Sequence, residues 1–332
     1  MNNRPILLVD DEPTNLAVLR NILEPHYRLV YARSGLEALT AVTQYQPSLI
    51  LLDIRMPDMN GYAVCKALKA NPASEAIPVI FVTSLADLGH ERDGFAVGCV
   101  DYLTKPIVSD IVLARVRTHL SLVKAIELEK SYRDAIYMLG EAGHYNDNDT
   151  GVHIWRMAAY GSELAEACGW SADACKQLEL AAPMHDTGKI GIPDSILKKP
   201  GELDAAEWVV MKTHSRIGYD ILAKSNAPVF KMAAEIALRH HERWDGSGYP
   251  EGLIGESIPE SARIIAITDV FDALMMKRPY KKAWPLNQVM RTIQESAGSH
   301  FEPRLVDLFI SILPRILEIQ AIWASSELST GV

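Results

Sequence analysis

Five short apolar runs in the first 122 residues constrain the fold more than any other feature of the chain: Pro5 to Asp10 (PILLVD), Tyr27 to Ala32, Ser48 to Asp53 (SLILLD), Ile77 to Thr83 (IPVIFVT) and Cys99 to Leu103. Their apolar residues follow one another instead of alternating with polar ones, so each strand has to be covered on both faces. Between them the spacing predicts helices over about Thr14 to Leu23, Gly35 to Tyr45, Gly61 to Ala70, Asp87 to Val97 and Asp110 to Leu120. Strand and helix in alternation imply an α/β doubly wound fold with a parallel five-stranded sheet. Ligand chemistry in such folds gathers at the carboxyl ends of the strands.

At those ends stand Asp10 and Asp11, Asp53, Thr83 and Lys105. Alone, an aspartate there is an ordinary turn residue or helix cap. Three clustered carboxylates, however, repel one another unless a cation sits among them, and a hard ion such as Mg2+ suits oxygen ligands. One carboxylate then serves as nucleophile toward a phosphoryl group, with the lysine and the hydroxyl stabilising its oxygens.

From Ile111 to Leu139 there is neither proline nor glycine, and Val112, Val116, Leu120, Val123, Ile126 and Ile136 recur mostly three or four residues apart. The spacing predicts one helix joining two halves, its apolar seam interrupted by Lys130 and Arg133. Such a helix either relays a rearrangement, pairs two chains or simply packs on its own domain. The second half is helical in pattern: His153 to Cys168, Ala172 to Met184, Ala205 to Leu222, Val229 to His240, Ile258 to Leu274 and Leu286 to Ala297. Only the last residues, SSELSTGV, read as frayed.

Within that half, His153, His185-Asp186, His214, His240-His241 and Asp269 crowd imidazoles and carboxylates together. A lone histidine is usually a satisfied core or surface residue, but adjacent pairs on a helix address two ions from one cavity wall. Asp186 is placed to bridge them, which matches the two-metal logic of phosphoester hydrolysis.

Composition sets the outer limits. The chain has 332 residues, 48% apolar and 23% charged, as a globular protein with two cores would. No apolar run approaches the ~20 residues of a membrane span, and the amino terminus runs straight into a strand, so a cytoplasmic protein is expected. A net charge of −9 argues against binding duplex nucleic acid. Cys65, Cys99, Cys168 and Cys175 lack zinc-type spacing and are expected to be free thiols.

LLVDDEP, LLDIRMPDMNGY, FVTSLAD and DYLTKPI closely resemble the receiver domain of two-component response regulators. The resemblance implies Asp53 as phosphoacceptor, Asp10 and Asp11 as the acidic pair binding Mg2+ with it, Thr83 and Tyr102 as the switch pair, Lys105 as the phosphate-sensing lysine, and a histidine kinase as partner. HDTGKIGIPDSILKKPGEL, MKTHSRIGYDIL, HHERWDGSGYPEGLIGESIP, ARIIAITDVFDALMMKRPYKKA and GSHFEP resemble the HD-GYP family of cyclic di-GMP phosphodiesterases. That implies an all-α HD-type fold with two divalent ions, whether iron, manganese, nickel or zinc. His153, His185, Asp186 and Asp269 would surround one ion, and Asp186, His214, His240 and His241 the other. Asp149 stands four residues before His153, where one branch of the family has the Glu that supports a third ion.

Lys189 would reach the scissile phosphate, and Arg278 and Lys281 the second phosphate. Tyr249 either stacks on a guanine or meets a partner protein. Asp272 orients a ligand, protonates a leaving group or is merely a helix-surface acid. Pro183, two positions before the His-Asp pair, removes a backbone donor and is expected to kink that helix. The domains read as receiver 1–122, helical linker 123–140 and HD-GYP domain 141–332. The function implied is a response regulator in which phosphorylation of Asp53 controls hydrolysis of cyclic di-GMP, of pGpG or of both. The alternative is a sensor that binds a nucleotide or a GGDEF-domain partner with little turnover.

Overall fold

The computed structural model describes residues 4–84, 91–144, 152–276 and 283–330. The chain divides into two compact units after Ser131. In the first, β1 (Ile6–Val9), β2 (Leu29–Ala32), β3 (Leu49–Asp53), β4 (Val79–Ser84) and β5 (Asp101–Lys105) pair in parallel in the order β2-β1-β3-β4-β5. Helices α1 (Pro13–Leu23), α2 (Gly35–Tyr45), α3 (Gly61–Lys69) and α4 (Glu91–Ala96) connect them, and α5 (Ser109–His144) follows.

The both-face apolar runs split by parity, as the pleat requires. Ile6, Leu8, Leu49, Leu51, Ile80 and Val82 pack with α1 and α5 through Leu16, Leu19, Val112 and Val116. Leu7, Val9, Ile50, Leu52 and Phe81 pack with α2 and α3 through Ala38, Val42, Val64 and Cys65. The doubly wound expectation is borne out.

One strand is shifted. β5 begins at Asp101 and not at Cys99, because Gly98 turns the chain at φ 95° and the Cys99 amide is still donating back to Gly94 of α4. The α5 helix runs unbroken through 122–140, and the division between the units falls inside it.

The second unit holds α6 (Val152–Ala167), α7 (Ala172–Ala181), α8 (Asp194–Leu197), α9 (Ala205–Leu222), α10 (Pro228–Arg239), α11 (Glu260–Met275), α12 (Leu286–Glu295), α13 (Pro303–Ser311) and α14 (Leu313–Thr330). Its core is one cluster drawn from α6, α7 and α10 to α14, and α11 is buried on most of its circumference. The last two helices were not anticipated, and α14 runs as far as Thr330, into the stretch expected to fray. All four cysteines are free and three are buried; burial pushes Cys65 up to about 11, so it stays an inert thiol. No helix among the described residues is long and apolar enough to cross a membrane.

Candidate metal centre and phosphoacceptor pocket

The His185-Asp186 pair owes its position to a broken helix. Helix α7 stops at Ala181, since Pro183 has no N–H to continue the ladder, and Ala182–Met184 tightens into a 3-10 turn. A second 3-10 turn, Thr187–Gly191, begins directly after Asp186. The pair therefore sits at a junction of two short turns, whereas regular helix was expected up to Met184. A Cβ on Gly188 of the second turn would lie 1.9 Å from the carbonyl oxygen of His214 in α9. Only glycine permits that approach, which sets Asp186 against His214.

Asp186, His214, His240 and His241 offer donor atoms that all lie within 4.8 Å of one another. Oδ1 of Asp186 is 3.4 Å from Nε2 of His214 and 3.7 Å from Nε2 of His240. Oδ2 faces another set, at 3.3 Å from Nε2 of His185 and 2.8 Å from Nζ of Lys189. His185 Nε2 is in turn 4.0 Å from Oδ1 of Asp269.

The protons on these rings are assigned by geometry. Nδ1 of His185 lies 2.9 Å from the carbonyl of Ala182, Nδ1 of His214 2.7 Å from that of Met211, and Nδ1 of His240 3.0 Å from that of Ile236. A carbonyl only accepts, so each Nδ1 donates, and Nε2 is the ring nitrogen that each turns toward Asp186. Oδ1 of Asp186 and Nε2 of His240 are buried with no hydrogen bond among the described residues, a vacancy of partners that costs about 1–3 kcal/mol each.

The electrostatics agree. Burial pushes His214 down to about 4, and burial with the neighbouring His240 and His214 rings holds His241 well below the usual imidazole range, so both are neutral at pH 7. Burial would raise Asp186, but the Lys189 ammonium and His185 outweigh it and keep the carboxylate ionised. For His185 burial acts downward, yet Asp186 and Asp269 raise it to about 9, marking a place where positive charge is stabilised. Inward-facing ring nitrogens, an ionised carboxylate between two imidazole sets and mixed N/O donors fit a divalent transition metal.

His153 reaches this region differently. Its Nδ1 lies 2.9 Å from Oδ2 of Asp272, which also accepts from Arg156, Nε to Oδ1 at 2.7 Å and Nη2 to Oδ2 at 3.0 Å. Burial would raise Asp272, but His153 and Arg156 outweigh it and hold the group ionised. Of the roles left open for Asp272, burial excludes the helix-surface acid, and the contact with His153 accords with orienting that ring.

In the first unit, the strand ends converge as the register requires. Nζ of Lys105 lies 2.6 Å from Oδ1 of Asp53 and 2.9 Å from Oδ2 of Asp10. Oδ2 of Asp53 accepts from the Arg55 amide at 2.8 Å, and Oδ1 of Asp10 from the Glu12 amide at 2.9 Å. Burial raises Asp53 against the pull of Lys105. Asp11 is half-buried, and Thr83 is buried with its hydroxyl donating to the Ser84 carbonyl at 3.3 Å. The Tyr102 ring packs inward between Phe81 and Phe95, at centroid distances of 5.6 Å and 5.3 Å.

With both sites built, the relatives can be named. The response regulator receiver domain family matches residues 6–117, and the HD domain family residues 129–305. A probable cyclic di-GMP phosphodiesterase of Vibrio cholerae serotype O1 is 37% identical, over 97% of this chain and 80% of its own length. The cyclic di-GMP phosphodiesterase response regulator RpfG of Xanthomonas campestris pv. campestris is 36% identical, over 98% of this chain and 92% of its own length. The chain belongs to this family of response regulators, which join a receiver to an HD domain. A 3'3'-cGAMP-specific phosphodiesterase 2 of V. cholerae is 43% identical over 59% of this chain and 38% of its own length.

The Gly-Tyr-Pro loop of this HD-domain regulator is locked from beneath. Glu242, buried, accepts from the amides of Glu251 at 2.9 Å and Leu253 at 3.0 Å. A Cβ on Gly248 would fall 2.3 Å from the Arg243 nitrogen, so the loop can close only with glycine there. Tyr249 consequently stacks on His241, centroids 4.7 Å apart at 26°. Arg156 and Glu242 escaped the sequence reading. Arg156 stands one turn after His153 and Glu242 directly after His241, but the partner of each is remote in the chain or in a loop. Asp149, Arg278 and Lys281 lie outside the described residues.

Proposed function

We propose that this chain is a receiver-controlled phosphodiesterase that hydrolyses the 3′–5′ phosphodiester of a cyclic dinucleotide, cyclic di-GMP foremost. The observation that carries this reading is Asp186, whose two oxygens face separate imidazole sets in a chain whose full-length relatives are named cyclic di-GMP phosphodiesterases. His153, His185, Asp186 and Asp269 would hold one divalent ion, and Asp186, His214, His240 and His241 the other, with iron, manganese, nickel and zinc all compatible. When bound, the ions supply Lewis acidity to the phosphate and acidify a water.

The side chains do the rest. Four imidazoles with fixed tautomers keep the donor atoms aimed without reorganisation. Lys189, already 2.8 Å from Asp186, turns its ammonium to a non-bridging phosphate oxygen. Asp272 acts through His153 and gives up no proton, so the leaving oxygen is protonated from solvent. In the receiver, Asp53 accepts the phosphoryl group from a histidine kinase or another phosphodonor, with Asp10 and Asp11 holding Mg2+ beside it. Lys105 would leave Asp53 for a phosphoryl oxygen, and Thr83 and Tyr102 would follow. Helix α5 runs in one piece from the receiver toward the catalytic half, and Leu122 and Ile126 on it are exposed, which supports pairing with a second copy. A cytoplasmic location and a GGDEF-domain partner accord with this reading.

The specific relative acting on 3'3'-cGAMP, and the freer phosphodiester of linear pGpG, define the competing substrates. Full-length protein supplied with manganese or iron should hydrolyse cyclic di-GMP faster than 3'3'-cGAMP or pGpG, read by chromatography of the nucleotides. Asp186→Ala should lower the rate at least a hundredfold and release bound metal. Persistent hydrolysis by that variant would overturn the site; tight binding without turnover under any metal or phosphodonor would favour a sensor.

A further inference from the structure

Among the described residues around the Gly-Tyr-Pro loop, the basic side chains are paired with carboxylates, with one exception. Arg216 and Arg239 share Glu251, at 2.9 Å and 2.7 Å; Arg243 lies 3.9 Å from Asp245; Lys189 is held by Asp186 at 2.8 Å. Lys212, exposed on α9 one turn before Arg216, has no carboxylate within ion-pair distance among the described residues. Its ammonium rests instead 5.1 Å from the centroid of the Tyr249 ring, and that ring is stacked on His241 of the four-residue cluster. An exposed cation–π contact is weaker than a charge-assisted bond to phosphate, so an arriving phosphate oxygen displaces it readily.

We propose that Lys212, poised on Tyr249, binds the second phosphate of a dinucleotide whose first phosphate reacts at the Asp186 cluster. That phosphate is the other diester of a cyclic dinucleotide or the terminal 5′-phosphate of a linear one. The inference rests on the phosphodiesterase reading above. Lys212 lies one aromatic ring beyond His241, its ammonium 5.1 Å from the Tyr249 centroid and that centroid 4.7 Å from the His241 ring. A point charge on a flexible stem accepts either geometry. Tyr249 has the companion role of holding the ammonium at the rim while the site is empty of substrate.

The test uses the full chain loaded with manganese and three substrates: cyclic di-GMP, pGpG, and GpG, which has a phosphodiester but no second phosphate. Lys212→Met should lower kcat/KM for cyclic di-GMP, for pGpG or for both about tenfold relative to GpG, through KM and not kcat. Lys212→Arg should restore most of the loss. The substrate affected tells which phosphate is held. An equal fall on all three, or none, overturns the proposal. Should the wild-type chain cleave none of them, the phosphodiesterase reading fails separately. The subsite is then judged by equilibrium binding of cyclic di-GMP in chelator: a tenfold weaker Kd for Lys212→Met sustains it, and an unchanged Kd overturns it.

Discussion

Nδ1 of His153 lies 2.9 Å from Oδ2 of Asp272, with both side chains almost fully buried, at 3% and 0% exposure. The contact ties α6 to α11 and fixes which ring nitrogen of His153 faces Asp272. Asp272→Asn keeps the shape but removes the charge that Arg156 faces. Breaking one side of a buried pair costs about 3–5 kcal/mol. The variant should melt roughly 10 °C lower, and elemental analysis should find less bound metal than in wild type. An unchanged melting temperature with full metal content would remove Asp272 from the positioning role.

Gly188→Ala tests the close approach of Asp186 and His214. The added methyl would lie 1.9 Å from the His214 carbonyl, a backbone atom that cannot step aside. Overpacking of this kind costs at least about 1–3 kcal/mol. Denaturant unfolding of the full chain should show the loss in its second transition, with weaker metal binding. A midpoint equal to wild type would mean that the two segments are not in contact.

In the receiver, Asp101 at the start of β5 accepts from Nη1 of Arg115 at 2.6 Å and 2.7 Å and lies 3.0 Å from Nε2 of His119. Burial would raise its pKa, but His119 and Arg115 outweigh burial and lower it. A carboxylate whose folded pKa is depressed adds stability above its unfolded value of about 3.9, and that stability is lost as pH falls through the folded value. Wild type should therefore exceed Asp101→Asn in stability at pH 5–7, and the two curves should converge as pH falls below the unfolded value and through the depressed folded one. Parallel curves across the acid range would show the ion pairs to be inert.

Asp53→Asn should abolish the response to a small phosphodonor. The ratio of hydrolysis rates with and without acetyl phosphate should move to one in the variant, while wild type departs from one in either direction. A ratio unchanged by the substitution would relocate the phosphoacceptor.

Much of the site was legible as text because its residue types are rare in such density: His185-Asp186, His240-His241 and Asp53 are recognisable before any contact is known. The sheet was equally legible, since runs such as Leu49 to Leu52 leave no polar face to expose. Local spacing failed where a turn intervened. Cys99 and Val100 have strand propensity, yet Gly98 delays the ladder to Asp101, and Pro183 converts the expected helix end into 3-10 turns.

By itself, then, the sequence determined the fold class, the two-part organisation and where candidate chemistry-bearing residues are dense, because short-range periodicity and residue type are written locally. Only the tertiary structure decided which oxygen of Asp186 faces which imidazoles, that Arg156 and His153 share Asp272 across more than a hundred residues, and that Lys212 comes to rest on Tyr249. Those pairings depend on helix packing and on close backbone approaches such as Gly188 on α9, where the cost of a buried unpaired charge selects partners that no local pattern records.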